Sequence, residues 1–580
     1  MAAIKLTAFS GERPLIIPRL LPDTASQSAI DTRMDDGSLS PLNRPIQTSA
    51  IDDENHKTIY KHNGVWMSWA DVVHPAPGPI ASGRLYFTGD GVPKVNMSGT
   101  VYPLAVPRPA SAPSVAASGS GTGDVFSRTY VYTYVTAWGE ESEPSAASSI
   151  ISWQSGKTIT LSGFPATPTG RNITRQRFYR SQTGQTGTYY YFIAERDVST
   201  SDYADNVPVS RFAEALPSAS FNTPPDDLEG LTAMPNGMMA AFVDKAVYFC
   251  EPYQPHAWPE RYILTCDAEI VGLGAIGTAL VVMTKAQPYI IFGSHPSSMA
   301  MEKLEANYPC INGRGIVDFG FAIAYPTHEG VVTVTANGAV TLVTVNTISK
   351  EKWLALSPQT MVAGQLSGRY VAFYNTTDAQ GQPLRGAVLL KLNGEPDLVR
   401  TAHRATAVYF DVLTSALYFL APGDTKVYQF DPPNSAAETM YWRSKEFWLT
   451  EPTNFSCILI DTDTQRLAAQ LEAQQELIDQ IEEENAALFT AGLLGAINDE
   501  QVNLYAINGD AMVQVAPALN YIDVGVYADG EKIAVVQQPD RVVRLPSGFR
   551  ARKWEIDVSG DIQVNQIAMA TTVDELKSIL

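Results

Sequence analysis

Turn signals recur along most of this chain, and they limit its fold more than any other feature. Asn63-Gly64, Asn337-Gly338, Asn393-Gly394, Thr414-Ser415, Asn508-Gly509 and Asp529-Gly530 each separate two short runs rich in Val, Tyr, Phe and Thr. Such a pair of residues supplies the left-handed backbone that a tight hairpin needs, and the flanking alternation gives each strand one buried face. The run Gly330–Val345, GVVTVTANGAVTLVTV, shows the pattern in full. With 38 Pro, 41 Gly and 26 Tyr, the composition also favours strand and turn over helix. At 580 residues the chain exceeds what one core can serve. The expected class is all-β.

The spacing from about residue 218 onward, roughly four strands per 40–50 residues, is that of propeller blades. An irregular β-propeller of about five to seven blades is expected, with a tandem of β-sandwiches as the alternative. Residues 1–107 are proline-rich and read as an extended arm with short hairpins, packing on the propeller or on a neighbour. Pro107–Pro113 is a stiff linker into a module spanning 108–217. There Tyr130, Tyr132 and Tyr134 alternate with Val131, Thr133 and Val135, as in a strand with two filled faces, and further strands follow at regular spacing. Blades are expected over 218–461 and again over 491–580.

Residues 462–490 break the β pattern. DTQRLAAQLEAQQELIDQIEEENAALF has no Pro or Gly, and Thr462 or Asp463 can cap its start. Leu467, Leu471, Ile478, Ile481 and Leu488 fall on one seam, interrupted by Gln474 and Asn485. The expected element is a long acidic amphipathic helix, a rod of about 40 Å. Its seam is buried either on its own propeller or in an oligomer.

Catalytic signals are weak. None of the seven His lies in a hydrolase or metalloprotease motif, and no Cys pair has metal spacing. Cys250, Cys266, Cys310 and Cys457 read as reduced, core-packed thiols. Asp35-Asp36, Asp52-Asp53-Glu54 and Asp226-Asp227 lie in turns, where Asp is favoured for backbone reasons. Gly272, Gly274 and Gly277 imitate a dinucleotide fingerprint but sit between strands, so a hairpin is expected. Arg171, Arg175, Arg177 and Arg180 read as a solvated strand face. No catalytic residue, cofactor or metal site is assigned, and the chain is read as no enzyme. In the loop Phe249–Arg261, FCEPYQPHAWPER, His256 reads as a loop residue bonded to a carbonyl, its ring packed on Tyr253 or Trp258. Tyr253, His256, Trp258 and Tyr262 are the candidate aromatic contacts.

The net charge is −20, which argues against a protein that grips DNA phosphates from solution and is compatible with a wall along which DNA slides. No apolar run is long enough to span a bilayer, and no secretory signal is visible at the N-terminus, so synthesis in a cytosol is expected.

Several segments together resemble the nozzle, or tail tubular, proteins of short-tailed bacteriophages. They are SQSAIDTRMDDGSLSPLNRP, YVYTYVTAWGEESEPS, EPYQPHAWPERY, YPTHEGVVTVTANGA and LPSGFRARKWEIDVSGDIQVNQIAMATTVDEL. The 108–217 module resembles an inserted fibronectin III or immunoglobulin-like domain. The nozzle resemblance implies a virion protein forming a homohexameric ring below the tail adaptor and portal. It further implies contacts with tail fibres or spikes, and a gated channel through which genomic DNA passes without specific binding. A peripheral receptor- or glycan-binding tail protein is the alternative.

Overall fold

The computed structural model describes residues 3–463 and 521–579 apart from 185–186, 209–210, 212–213, 379 and 395–396; between 463 and 521 it describes only Asp479 and Glu483. The seam residues Leu467, Leu471, Ile478, Ile481 and Leu488, and the Asn508-Gly509 turn, lie outside the described residues.

The chain is all-β, and most of its strands form a ring of radially packed sheets. In chain order, blade 1 is the hairpin Thr58–His62 and Val65–Trp69. Blade 2 covers residues 74–103, blade 3 229–265, blade 4 270–303, blade 5 317–342 and blade 6 362–401, each with four antiparallel strands. Blade 7 has three strands between residues 407 and 429 and takes Ile46–Ala50 as its fourth. The first strand of each blade from 3 to 7 packs on the blade before it, and blade 1 packs on the first strand of blade 7. Trp69 against Phe87 (5.5 Å) and Asn96 Nδ2 against Met67 Sδ (3.8 Å) close the circle between blades 1 and 2. Fastening the last blade with a strand from near the N-terminus means the ring cannot open without breaking a sheet.

The turns explain the blades locally. In blade 1, Asn63 and Gly64 both have positive φ (48° and 84°), the two-residue turn whose twist matches its strands. In blade 4, a Cβ at Gly274 would meet Ile323 of blade 5 at 2.7 Å, so glycine there lets two sheets approach closely. The glycine triplet thus serves a hairpin, Ile270–Ile276 with Ala279–Thr284. Arg314, at the entrance to blade 5, donates through Nη2 to the carbonyls of Lys57 (2.8 Å) and Thr406, the residues leading into blades 1 and 7. One side chain thereby ties three blades together.

Beside the ring stands a platform of two sheets drawn from both ends of the chain. One orders Ala3–Leu6, Val564–Ala570, Cys457–Thr462 and Val543–Arg544. The other continues blade 6: Ser26–Ile30 pairs in parallel with Leu398–Thr401, and Met440–Ser444, Ala551–Gly560, Ile522–Ala528 and Glu531–Val536 follow. Trp442, Trp554, Phe455, Ile458, Val564 and Met569 fill one core with residues of blades 6 and 7. Of the two expectations for 491–580, closing blades or a C-terminal β region, the described residues 521–579 form the latter, and 491–520 lie outside the described residues. Residues 46–429 already occupy every ring position, and the described strands beyond 440 pair with one another and, through Val564–Ala570 and Met440–Ser444, with Ala3–Leu6 and Ser26–Ile30. Residues 1–107 do carry short hairpins and pack on the ring, and they go further by supplying strands to the platform, blade 7, blade 1 and blade 2.

The inserted module, between blades 2 and 3, is a sandwich of eight short strands around Tyr130, Tyr132, Tyr134, Leu161, Phe164 and Phe178. Its strand Tyr130–Thr136 pairs on one side with Ile173–Gly184. Its other edge is covered by Ser142–Ser148, which rises three residues per step. Ser142, Ser145 and Ser148 each donate N–H to the carbonyl of Tyr134, Tyr132 and Tyr130, all at 2.9 Å. Their Oγ atoms accept the N–H of the same tyrosines at 3.0, 3.1 and 3.0 Å. A serine ladder thus satisfies a buried strand edge without a paired strand.

Candidate interaction surfaces

The aromatic loop does not form the surface that its sequence suggests. Trp258 is buried in the core between blades 2 and 3, with Nε1 donating to the Pro255 carbonyl (2.8 Å). Tyr262 is buried too, and its hydroxyl donates to Glu251 (2.9 Å). His256 is buried, its Nε2 is 3.0 Å from the Glu141 carbonyl, and its ring meets Phe221 edge-on, not Tyr253 or Trp258. Burial pushes its pKa down to about 4, so the ring is neutral and donates from Nε2. Of the four candidates only Tyr253 faces solvent. An indole or phenol finding a polar partner inside the fold gains more from burial than from display, and here all three do.

His256 belongs to the weld between the inserted module and the ring. Arg171 is 1% exposed and pairs with Glu140 at 2.9 Å, with Arg84 of blade 2 on the same carboxylate at 3.5 Å. Arg177 pairs with Glu141 (2.8 Å) and with Glu195 (2.7 Å), and the Tyr179 hydroxyl donates to Glu141 (2.6 Å). Arg180 is buried on Asp205 (2.6 Å). The arginines expected on a solvated face are therefore mostly internal, because Glu140, Glu141, Glu195 and Asp205 approach them from other strands. Only Arg175, paired with Glu195, is exposed.

The carboxylate pairs are similarly engaged. Asp35 binds Arg369 (2.9 Å), Asp36 caps the N–H of Ser38 (2.9 Å), and Asp53 that of Asn55 (2.8 Å). Thr462 ends a strand and bonds Asp540 (2.7 Å through its hydroxyl). The four cysteines are buried and unbridged, and burial raises Cys266 to about 11 and both Cys250 and Cys310 to about 12. No cluster of His, Cys, Asp or Glu among the described residues could hold a metal ion. No described helix is long and apolar enough to cross a membrane.

The surface that stands out was not singled out from the sequence. Leu15, Ile17 and Leu20 are 45%, 61% and 69% exposed, and Trp448 of the platform is 48% exposed. This ridge is held rigidly. Leu15 donates N–H to Thr347 (3.0 Å), Lys352 Nζ reaches the Pro14 carbonyl (2.7 Å), and Glu446 N–H reaches the Pro18 carbonyl (3.2 Å). The Arg19 guanidinium lies 4.8 Å from the Trp448 ring centre, and Trp448 Nε1 donates to Glu446 (2.9 Å). GERPLIIPRLLP carries the apolar residues in plain sight, but no helical or strand period says which face they take.

No family model matches the chain, and no curated protein matches it. Solved structures give faint likenesses. A chain in a complex of S. cerevisiae Dbp5 with Nup159 and Gle1 is 10% identical, TM-score 0.23, over 33% of this chain and 55% of that one. An exo-beta-1,3-galactanase from Phanerochaete chrysosporium is 8% identical, TM-score 0.20, over 59% of this chain and 95% of that one. PorZ, a surface component of the type-IX secretion system of Porphyromonas gingivalis, is 9% identical, TM-score 0.21, over 69% of this chain and 51% of that one. At such scores none carries an argument about this chain, which stands on its own sequence and geometry.

Proposed function

We propose that this chain is a virion structural protein, the subunit of a homohexameric nozzle at the distal end of a short phage tail. In this reading the ring hangs below the adaptor and passes genomic DNA without gripping it, while fibres or spikes dock around it. The observation that carries the proposal is the apolar ridge of Leu15, Ile17, Leu20 and Trp448, fixed by backbone hydrogen bonds on the platform. Contiguous exposed apolar residues on a rigid face mark an association surface. A net charge of −20 supports a wall that repels DNA. The peripheral glycan-binding alternative loses most of its support, since Trp258, Tyr262 and His256 are buried.

The test is negative-stain electron microscopy with native mass spectrometry of the purified protein, alone and with its tail adaptor. A six-membered ring is expected, and Ile17→Lys with Leu20→Lys should return it to monomers without unfolding it. Monomers of the unaltered protein, even with adaptor present, would refute the nozzle reading.

A further inference from the structure

Among the described residues blade 1 is incomplete: its neighbours in the ring have four strands, whereas it has two. The hairpin register fixes which backbone groups are spare. His62 and Val65 flank the two-residue turn and exchange both hydrogen bonds, as then do Tyr60 with Met67 and Thr58 with Trp69. The N–H and C=O groups of Trp66 and Ser68 therefore point away from the hairpin, and none has a backbone partner among the described residues.

That edge lacks the usual protection. Outer strands are blunted by charge, proline or brevity. Blade 2 ends in Pro103, blade 3 in the two-residue strand Leu264–Thr265, and blade 4 in Ala300–Lys303 with Glu302 and Lys303. Val65-Trp66-Met67-Ser68-Trp69 carries no charge and no proline. A groove of about 560 Å³ runs beside it, lined by Trp66, Met67, Ser68 and Trp69 on one side and by Ala50, Ile51 and Asp52 on the other. The strand is held ready: Trp66 packs on Tyr418 (5.1 Å) and Tyr409 (5.8 Å), and Trp69 on Phe87. Asp52 lines the groove's far wall, and the next two residues in the chain, Asp53 and Glu54, are exposed acids, so that end is acidic.

We propose that an extended, basic segment of a partner protein adds to Val65–Trp69 as the third strand of blade 1. Its backbone pairs with Trp66 and Ser68, its side chains pass alternately beside Trp66 on one face and Trp69 on the other, and its Lys or Arg side chains meet Asp52, Asp53 and Glu54. Main-chain pairing gives affinity to such strand addition, and the flanking groups select the partner. The inference is independent of the nozzle reading, because it needs only one copy of the chain.

The experiment titrates the full-length protein with the capped synthetic peptide KVKVKVK and follows tryptophan emission and amide exchange. Binding should slow exchange at Trp66 and Ser68 by about tenfold or more. Ser68→Pro, which removes an outward N–H and leaves the hairpin's own bonds, should weaken binding about tenfold. Asp52→Lys should weaken it several-fold and reduce its salt dependence; it keeps the test valid if the proline variant misfolds. The acidic peptide EVEVEVE should not bind. Equal binding to both variants, or emission changes without protection of Trp66 and Ser68, would overturn the proposal. So would quenching by cellohexaose with no response to KVKVKVK, which would assign the groove to carbohydrate.

Discussion

Neutralising Glu140 should undock the inserted module. Its carboxylate is the counter-charge for Arg171, which is 1% exposed, and for Arg84 of blade 2. In Glu140→Gln both guanidinium groups stay in place with no anion between them, and breaking a buried pair in this way costs about 3–5 kcal/mol. At a slope of about 2 kcal/mol per M urea, the module's unfolding midpoint should fall by roughly 1.5–2.5 M. The assay is urea denaturation read by tryptophan emission, since Trp138 lies 5.7 Å from the Arg171 guanidinium, with proteolysis of the Pro107–Pro113 linker as a second signal. Removing the charge and both its partners together, in Glu140→Leu with Arg171→Met and Arg84→Met, should restore most of the loss, because a matched apolar set leaves no stranded cation. The exposed pair offers a control: Arg175→Gln should cost less than about 1 kcal/mol. A midpoint shift below about 0.5 M for Glu140→Gln would refute the claim that Glu140, set between Arg171 of the module and Arg84 of blade 2, holds the module to the ring.

Acid should destabilise the protein through two imidazoles, His256 buried and His74 half-buried. Burial holds His74 and His256 down to about 4, against an ordinary value near 6.5. Their stabilisation is therefore complete above about pH 6.5 and lost as pH falls toward 4, about 3 kcal/mol each; His74→Phe should flatten the fall in melting temperature over that window. Ser145→Ala removes the acceptor of the buried Tyr132 N–H. It should cost about 1–3 kcal/mol and speed exchange at that amide. Arg314→Leu strips the donor from Lys57 and Thr406. It should cost about 2 kcal/mol, seen as roughly 30-fold faster exchange in the blade 1 hairpin with the platform unchanged.

Local turn chemistry was the readable part of this fold. Asn63-Gly64, Asn337-Gly338, Asn393-Gly394, Thr414-Ser415 and Asp529-Gly530 all join adjacent strands where their residue types require it. Tyr130–Thr136 is a strand with both faces buried, as its alternation implied. What stayed hidden depends on partners distant in the chain. Nothing in Ala3–Leu6 says that it pairs with Val564–Ala570, and nothing in Ile46–Ala50 says that it ends blade 7. The arginines of 171–180 misled for the same reason: a charge run looks solvated until the acids of other strands are placed around it. The serine ladder did have a signal, Ser at every third position from 142 to 148, but a period of three suits neither helix nor paired strand and so escaped notice.

The platform also sets a clock. Ala3–Leu6 leaves the ribosome about 560 residues ahead of its partner strand Val564–Ala570. At about 5–20 residues per second the early strand waits roughly half a minute to two minutes for its mate. Until Glu446 and Trp448 are made, the ridge at Leu15–Leu20 is held only at its Pro14–Leu15 end and lacks its second backbone anchor and its aromatic neighbour. A chain cut short during synthesis can close most of its blades yet never present that ridge in register. The order in which the sheet is threaded thus ties completion of that surface to synthesis of the distal strands, and the topology makes one end of the chain a check on the other.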